Sequence, residues 1–326
     1  MARADQGSST IYQVAHEAGL SIATVSRVLN GKKNVSETAR QKVLTACKKL
    51  HYRPSINARQ LHGESLFDIG VILGTDSETY TPFAMKVYEA LKFALHNQGY
   101  RAKRITIASE KSQLPPCKGY IAVGLQKSDN RIKRLESNNL PLVTIGDPRN
   151  NGFWVASNDH QGGYRAAEYL IQQGCKHIHY VCQHLDHDLS RLRLNGMQYA
   201  IATRGLPAPG IHALDNKTGI PVLDAYRLGL RLFDGTMAID GIVSFSDEVA
   251  TGLHCAATDL SINVPGQLKI TGYDGVVERQ HLALTTIAQN LPQLADKAAS
   301  LIIKAINKEA VTGQLVDISL RKGQTA

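Results

Sequence analysis

The stretch Ser21–Asn30 combines one guanidinium group with short polar and apolar side chains. Arg27 can donate two parallel hydrogen bonds to O6 and N7 of a guanine in the major groove of DNA, which gives roughly 1–3 kcal/mol of discrimination between bases. Ile22 and Ala23 can offer only apolar contacts, for example to a thymine methyl group. The neighbouring hydroxyls suit phosphate oxygens, which position a protein without reading sequence. This is the chemistry of DNA contact, provided that a helix presents it.

A second group of reactive side chains lies in one short loop, which contains His184, Asp186, His187 and Asp188. These are metal-ligand types, but mixed His/Asp loops are common and no further ligand at a suitable spacing supports a metal site. The sequence has no G-x-S-x-G, no P-loop and no G-x-G-x-x-G after a strand. We therefore predict no catalytic residue, no metal and no cofactor.

Capping signals predict the helices that would present the first group. They begin at Thr10, Ser21 and Ser36, and the last helix runs to about Leu50. Gly19 ends the first helix, because glycine tolerates the left-handed conformation found at helix ends. The residues predicted to face inward are Val14, Ala15, Ala18, Val25, Val28, Leu29, Ala39, Val43 and Cys47.

The spacing of Ala15, Gly19 and Val25 is typical of a helix-turn-helix. The small residue lets the second helix approach, the glycine makes the turn and the β-branched residue seals the pair. An ordinary helical hairpin is the alternative. On the helix-turn-helix interpretation the residues expected to meet DNA here are Thr10, Tyr12, Ser21, Ile22, Ala23, Thr24, Ser26, Arg27, Asn30 and Ser36.

The charge distribution favours the same interpretation. The chain has a net charge of +9, yet residues 1–63 contain ten Lys or Arg and three Asp or Glu, so that most of the excess lies in a fifth of the sequence. A concentrated basic module suits a polyanion, whereas the nearly neutral remainder does not. A solvated basic tail would lack the apolar periodicity seen here. We predict a DNA-binding domain at residues 1–54.

After Gly63 the pattern changes to apolar runs that alternate with amphipathic stretches. The predicted strands are Ile69–Leu73, Ile105–Ala108, Tyr120–Val123, Leu142–Ile145, Ile178–Cys182, Gly241–Phe245 and Lys269–Tyr273. Predicted helices are Thr81–Gln98, His160–Gln173, Leu189–Thr203, Leu223–Phe233 and Glu248–Thr258. This alternation predicts an α/β fold with two similar halves, each a parallel sheet covered on both faces.

The rest of the composition bears on location. The five cysteines are odd in number and form no C-x-x-C pair, so reduced thiols are expected. We see no apolar leader at the start and no run of 18 apolar residues. These features favour a cytoplasmic protein without a membrane span.

Four runs in the basic module resemble the LacI/GalR (lac repressor) family: Thr10–Ala15, Ser21–Gly31, Val35-Ser36 and Tyr52–Pro54. The resemblance implies that residues 55–65 form a hinge helix only on operator DNA, where two such helices pair in the minor groove. Leu61 would wedge between base pairs, and the other contacts implied nearby are Tyr52, Asn57, Ala58 and Arg59. A short, marginal helix gains stability only by such burial. A simple linker is the alternative.

The resemblance continues over nearly the whole chain. Its landmarks are Ile69–Ile72, Asn158-Asp159, Gly162-Gly163, Arg191–Arg193, Gly196, Val264-Pro265, Gly272–Asp274 and Leu284–Ile287. They imply a periplasmic-binding-protein-like core at 66–326 that binds an effector and dimerises. Its N-lobe would comprise about 66–157 and 290–316, and its C-lobe about 158–289 and 317–326, with crossings near Asn158, Ile287–Asn290 and Asp317.

In this family the effector lies between the lobes, and sugar hydroxyls are bound by charged planar groups. Arg193 and Asp274 match such positions, Asp147 is a third candidate and Phe83 can supply cleft wall. Each has a structural alternative: Arg193 can pair with a nearby acid, Asp274 can cap a helix and Phe83 can belong to the core.

Several positions depart from the family pattern. Ser246 replaces a common Asn, Gly275 replaces a second Asp, and Leu291 stands where an aromatic residue often stacks on the sugar. Ser246 and Leu291 are nevertheless carried as effector-site candidates. The segment Ser109–Lys118 is short, as in ebg-type repressors of β-galactosidase genes, which favours a galactoside inducer.

The resulting hypothesis is a homodimeric repressor of carbohydrate-utilisation genes that binds a pseudo-palindromic operator and is released by a sugar. No leucine heptad follows the last strand, so a dimer is expected rather than a tetramer. One alternative is a corepressor-type regulator, activated by a small molecule or a phosphorylated protein partner. Another is a transport-linked sugar-binding protein, which would need a secretion signal.

Overall fold

The computed structural model describes residues 11–29, 35–50, 67–74, 81–105, 114–125, 129–146, 148, 153–277, 283–310 and 312–326. The chain separates into two compact units, Met1–Leu66 and Phe67–Ala326. Each unit has a hydrophobic core of its own, so each is described by itself.

The first unit contains the three predicted helices, α1 (Ile11–Ala18), α2 (Ile22–Leu29) and α3 (Glu37–Lys49). The Ser36 hydroxyl accepts a hydrogen bond from the amide of Ala39 at 3.3 Å, and Ser21 does the same for Thr24 at 3.2 Å. Gly19 ends α1 with a φ of +63°. The local capping signals therefore set these boundaries; the proposed Thr10 cap lies outside the described residues.

The core of this unit is small and aliphatic. Val14, Val25 and Val43 are fully buried. On α3 the buried pair is Val43 and Ala46, whereas Ala39 and Cys47, which we predicted to face inward, are only half-buried. The buried face of α3 is therefore rotated slightly about the helix axis from the predicted face.

The second unit contains β1 (Phe67–Leu73), α4 (Pro82–Asn97), β2 (Tyr100–Ile105), β3 (Gly119–Val123), α5 (Asn130–Ser137), β4 (Leu142–Ile145), β5 (Phe153–Ser157), α6 (Asp159–Gln172), β6 (Ile178–Cys182), α7 (Asp188–Thr203), β7 (Gly210–Ala213), α8 (Pro221–Leu232), β8 (Gly241–Ser244), α9 (Asp247–Asp259), β9 (Lys269–Asp274), β10 (Thr285–Gln289), α10 (Leu291–Ile306), β11 (Gln314–Val316) and β12 (Ile318–Arg321). None of the helices in the described residues is long and apolar enough to cross a membrane.

Two six-stranded sheets organise this unit. The N-lobe sheet has the order β11-β5-β4-β3-β1-β2, and the C-lobe sheet has the order β12-β10-β9-β8-β6-β7. The strand pairs are parallel except β10 with β12. The predicted pair of α/β lobes is thus confirmed. The chain passes between the sheets after β5 at Asn158, after β10 at Asn290 and after β11 at Asp317.

The strand predicted at Ile105–Ala108 shares only Ile105 with the strand that the structure describes here. The strand is β2, which ends at Ile105, and residues 106–108 lie outside the described part of the chain. The criterion for predicting a strand is a run of apolar residues. Such a run is absent from β2, because β2 is an edge strand whose Arg101, Lys103 and Arg104 are exposed. The short edge strands β7, β11 and β12 escape the same criterion, since they bury few apolar side chains.

Two glycines bring α6 and α7 into backbone contact. A Cβ atom on Gly163 would overlap the carbonyl oxygen of Arg193, and one on Gly196 would overlap that of His160. No larger residue fits without moving one helix away from the other. This close packing fixes where Arg193 sits.

Replacing Gly196 with alanine tests that constraint. We expect the added methyl group to overpack the helix pair and to lower the free energy of unfolding of the core by about 1–3 kcal/mol. Urea unfolding of the full chain measures the loss. Asn195→Ala, on the exposed side of the same helix, is the matched control and should change stability by less than about 0.5 kcal/mol. Equal stability of the two variants would contradict the proposed contact.

Candidate nucleic-acid interface and effector cleft

The outer face of α2 carries the predicted DNA-reading side chains. Ile22, Ala23 and Arg27 are exposed, while Val25 and Val28 are buried against the other helices. Residues four apart on a helix lie on one face, so Ala23 and Arg27 point the same way. The structure therefore presents one guanidinium and one small apolar side chain together to solvent.

The hydroxyls around α2 are less available than the sequence suggests. The Ser21 and Thr24 hydroxyl oxygens are 2.9 Å apart and hydrogen-bonded to each other, and Ser21 also caps the helix. Ser26 and Thr24 are half-buried, whereas Tyr12 is 69% exposed. Tyr12 is thus the better placed of these groups for a phosphate.

The third helix carries exposed basic residues. Lys42, Lys48 and Lys49 are exposed, and Ser36 caps the helix from an exposed position. The Lys49 ammonium lies 2.6 Å from a carboxylate oxygen of Glu17, which joins α3 to α1. Both partners reach solvent, so this ion pair contributes at most about 1 kcal/mol.

Several predicted site residues cannot be placed. The ones that lie outside the described residues are Thr10, Asn30, Tyr52, Asn57, Ala58, Arg59, Leu61 and Asp147.

A cleft separates the two lobes of the second unit at the carboxyl ends of their strands, where ligands of such folds bind. Its empty volume is about 750 Å³, including the part open to solvent. From the N-lobe it is lined by Gly74, Thr81, Phe83, Ala84, Val123 and Gly124. From the C-lobe it is lined by Gln183, His184, His187, Leu189, Ser190, Arg193, Phe245, Ser246, Glu248 and Asp274.

Arg193 is buried at the cleft and is fixed by a salt bridge, a carbonyl contact and an aromatic ring. Its Nε donates to Asp159 Oδ1 at 2.7 Å and one terminal nitrogen donates to the Phe245 carbonyl at 2.5 Å. Its Cζ atom lies 3.6 Å from the centre of the Tyr273 ring. Burial is the largest single effect and opposes the charged form, but the surrounding groups, Asp159 first and Asp274 among them, together outweigh it, so the pKa of Arg193 is raised. Both expectations for Arg193 hold at once: it pairs with an acid and it lines the cleft.

Asp274 ends β9 beside this guanidinium. Its Oδ1 lies 3.9 Å from an Arg193 terminal nitrogen and accepts a hydrogen bond from the Gln289 amide at 2.7 Å. Burial raises the pKa of Asp274 to about 7, and Arg193 offsets this only in part. Its φ of +98° is unusual for a residue with a side chain. Within the described residues Asp274 caps no helix, so that alternative is not supported.

Gln289 connects this carboxyl group to a lobe crossing. The Ser157 hydroxyl, at the end of β5, donates to Gln289 Oε1 at 2.6 Å. A continuous chain of polar contacts therefore runs from Arg193 through Asp274 and Gln289 to Ser157, from the cleft to the first crossing.

Of the remaining effector candidates, Ser246 and Phe83 line the cleft and Leu291 does not. The Ser246 hydroxyl caps α9 by accepting from the Val249 amide, and the residue also lines the cleft. Phe83 lines the cleft and packs against the N-lobe core. Leu291 does not join them: it is the first residue of α10, only 9% exposed, and packs inside the N-lobe core. The predicted place of Leu291 at the cleft is corrected accordingly.

Glu248 and Ser190 line the cleft although neither was predicted, and His187, which the sequence presents only as a metal-ligand type, lines it as well. His187 Nδ1 accepts from the Leu189 amide and caps α7, and Ser190 is buried with no hydrogen bond of normal geometry to its hydroxyl. Their common signal is position, because each follows closely on the end of a parallel strand. Within the described residues no three His, Cys, Asp or Glu side chains are grouped as a metal site would require.

Comparisons with known proteins agree with this architecture. Residues 10–55 match the family of bacterial regulatory proteins of the lacI type, and residues 167–325 match the periplasmic binding protein-like domain.

Similar curated proteins are aligned over most of their length. The HTH-type transcriptional repressor PurR of Proteus mirabilis is 27% identical over 96% of this chain and 95% of its own. The ribose operon repressor of Halalkalibacterium halodurans is 29% identical over 92% of this chain and 91% of its own length. Catabolite control protein A of Staphylococcus xylosus is 29% identical over 93% of this chain and 94% of its own length.

Solved structures show the same fold. The transcriptional regulator CelR in complex with cellobiose has a TM-score of 0.70, with 20% identity over 98% of this chain and all of that one. The lac repressor dimer bound to operator and the anti-inducer ONPF has a TM-score of 0.68, with 22% identity over 98% of this chain and 99% of that one. The chain therefore combines a DNA-binding domain of the LacI family with a periplasmic-binding-protein-like domain.

Proposed function

We propose that this protein is a transcriptional repressor whose hold on a pseudo-palindromic operator is controlled by a small molecule, most simply a sugar, in the cleft. The observation that carries the proposal is the buried Arg193, aimed into a cleft between two lobes, in the same chain as an exposed DNA-reading helix. We assign residues 1–54 to DNA binding, 55–65 to the hinge and 66–326 to effector binding and dimerisation.

On DNA, α2 would lie in the major groove. Arg27 would read a guanine, Ile22 and Ala23 would make apolar contacts, and Tyr12 would bind a phosphate. The other proposed contacts to the operator are Thr10, Ser21, Thr24, Ser26, Asn30, Ser36, Tyr52, Asn57, Ala58, Arg59 and, as the wedge, Leu61. A dimer would place two such modules on two half-sites.

In the core, Arg193 and Asp274 would bind ligand hydroxyls, with Ser246 and Phe83 at the walls and Asp147 as a further candidate. A ligand that touches residues of both lobes favours one relative orientation of the lobes. It can release DNA only if it binds the DNA-incompetent state more tightly. The chain of contacts through Gln289 offers a physical route from the ligand to the first crossing.

The similar proteins support this reading. Their names describe a repressor, an operon repressor for ribose and a catabolite control protein. We infer that this chain likewise regulates metabolic genes in the cytoplasm and is not an enzyme. The helix-turn-helix disfavours a transport-linked binding protein. The galactoside inducer stays a prediction that rests on the short Ser109–Lys118 segment.

Selection of an operator from a random duplex library with the full chain tests the first half of the proposal. Sugars that raise the thermal midpoint, as a cleft ligand must by mass action, are then added to the operator complex. We expect at least one to weaken it tenfold or more. A ligand that strengthens the complex would support the corepressor alternative instead, and the lack of any sequence preference would overturn the proposal.

Arg27→Ala should weaken operator binding by about 1–3 kcal/mol and relax the preference at one base position in each half-site. Arg27→Lys keeps the charge but loses the planar pair of donors, so it should restore salt-dependent affinity without the preference. Gln41→Ala, exposed on α3, is the control. Repeating the selection with each variant measures the effect; an unchanged base preference in Arg27→Ala would remove Arg27 as the base reader.

Well above pH 7, where Asp274 is charged, Asp274→Asn should lower effector affinity by about 1.5–3 kcal/mol, because hydrogen bonds to a charged acceptor are the stronger ones. Operator affinity without effector should stay within twofold of the wild type. Titration calorimetry with a sugar from the thermal screen, and operator titration without it, separate the two. Asp259→Asn, exposed at the far end of α9, is the matched control. Equal effector affinity in both variants would exclude Asp274 from the site.

A further inference from the structure

The cleft carries an excess of acidic groups. Among its lining residues in the described part of the chain, Arg193 is the only Lys or Arg. The charge of Arg193 is already balanced by Asp159, 2.7 Å away and equally buried. Asp274 and Glu248 remain, so an anionic ligand would meet repulsion that no further Lys or Arg among the described lining residues offsets.

Glu248 differs from the other acids because, among the described residues, no hydrogen bond or ion pair holds its side chain. Its neighbour Asp247 accepts from the Thr286 hydroxyl at 2.6 Å and from the amides of Val276 and Val277 at 2.8 and 3.1 Å. Asp247 is therefore occupied in holding the segment after β9. Glu248 stands in the first turn of α9, half-buried, and faces the cleft.

The electrostatics of Glu248 leave it in need of a counter-ion. Burial, and then the charge of Asp247, raise the pKa of Glu248 to about 7, and no cation of the described chain lowers it. The other titratable groups that line the cleft are Asp274 from β9, Arg193 from α7, and His184 and His187 from the loop before α7. Charging a half-buried carboxyl group beside a second acid is unfavourable, and a ligand cation would offset that cost.

Other lining residues of the cleft suit the body of a sugar. Phe245, Leu189 and Val123 offer apolar surface, while Arg193 and Asp274 offer polar groups for hydrogen bonds. This combination fits a ring that carries hydroxyl groups and one positive group.

We propose that the effector carries a protonated amine beside its hydroxyl groups, as an aminated sugar does, and that Glu248 is the residue that selects this amine. This inference rests on the proposed function. Arg193 and Asp274 bind the hydroxyls, and Glu248 forms an ion pair with the amine. Phosphorylated and carboxylated sugars are excluded by charge.

The experiment compares matched ligands on the full chain by thermal shift and calorimetry. The probes are D-galactosamine, D-glucosamine and D-mannosamine, their parent hexoses and the hexose 6-phosphates. We expect at least one aminated sugar to bind ten times or more tightly than its parent hexose, with no binding of the phosphates. A hexose or phosphate that binds as tightly, or a lack of binding by every aminated sugar, overturns the proposal.

Glu248→Gln assigns the preference to this residue. It should keep the thermal midpoint at or above that of the wild type and abolish the preference for the amine over the hydroxyl. Asp259→Asn, on the same helix but away from the cleft, should retain it. A preference that survives in Glu248→Gln overturns the assignment, and the wild-type comparison stands even if that variant does not fold.

The outcomes also separate this proposal from the function on which it rests. If a neutral sugar binds the cleft and releases operator, the repressor function holds and the selection of an amine fails. If no cleft ligand of any charge changes operator affinity, the proposed function itself fails.

Discussion

The buried ion pair between Arg193 and Asp159 is the constraint on which the core depends. It joins α7 to α6, and it exists only because Gly163 and Gly196 let those helices touch. Removing either partner of such a pair leaves an uncompensated buried charge, which costs about 3–5 kcal/mol. The Tyr273 ring beneath the guanidinium completes the support. The group that the cleft offers to a ligand is therefore held rigidly before any ligand arrives.

From this anchor the polar contacts lead toward the crossings. Asp274 faces Arg193, Gln289 donates to Asp274, and Ser157 donates to Gln289 at the end of the first crossing strand. A ligand that engages Asp274 thus acts on a group that already links the two lobes. Energetic coupling of this kind needs discrete arrangements of packed groups, and this chain of contacts supplies the physical continuity.

Local signals explain how much could be predicted. Ser36 and Gly19 mark helix ends through short-range hydrogen bonding and backbone freedom, so the helix-turn-helix and most core elements follow from sequence. Arg193 and Asp274 came from the family resemblance and do lie in the cleft. Glu248 was missed because a position after a strand end is only a general signal, and which of those side chains line the cleft depends on how separate strands align.

The difference between Arg193 and Glu248 has a consequence for how new regulators arise from this fold. The guanidinium is embedded in a salt bridge, a carbonyl contact and an aromatic stack, so a mutation there damages the protein before it changes recognition. The Glu248 side chain has no hydrogen bond or ion pair among the described residues, so a mutation there should cost less stability than one at Arg193. Single changes at this position can therefore alter which ligand is recognised while the Arg193 anchor is kept.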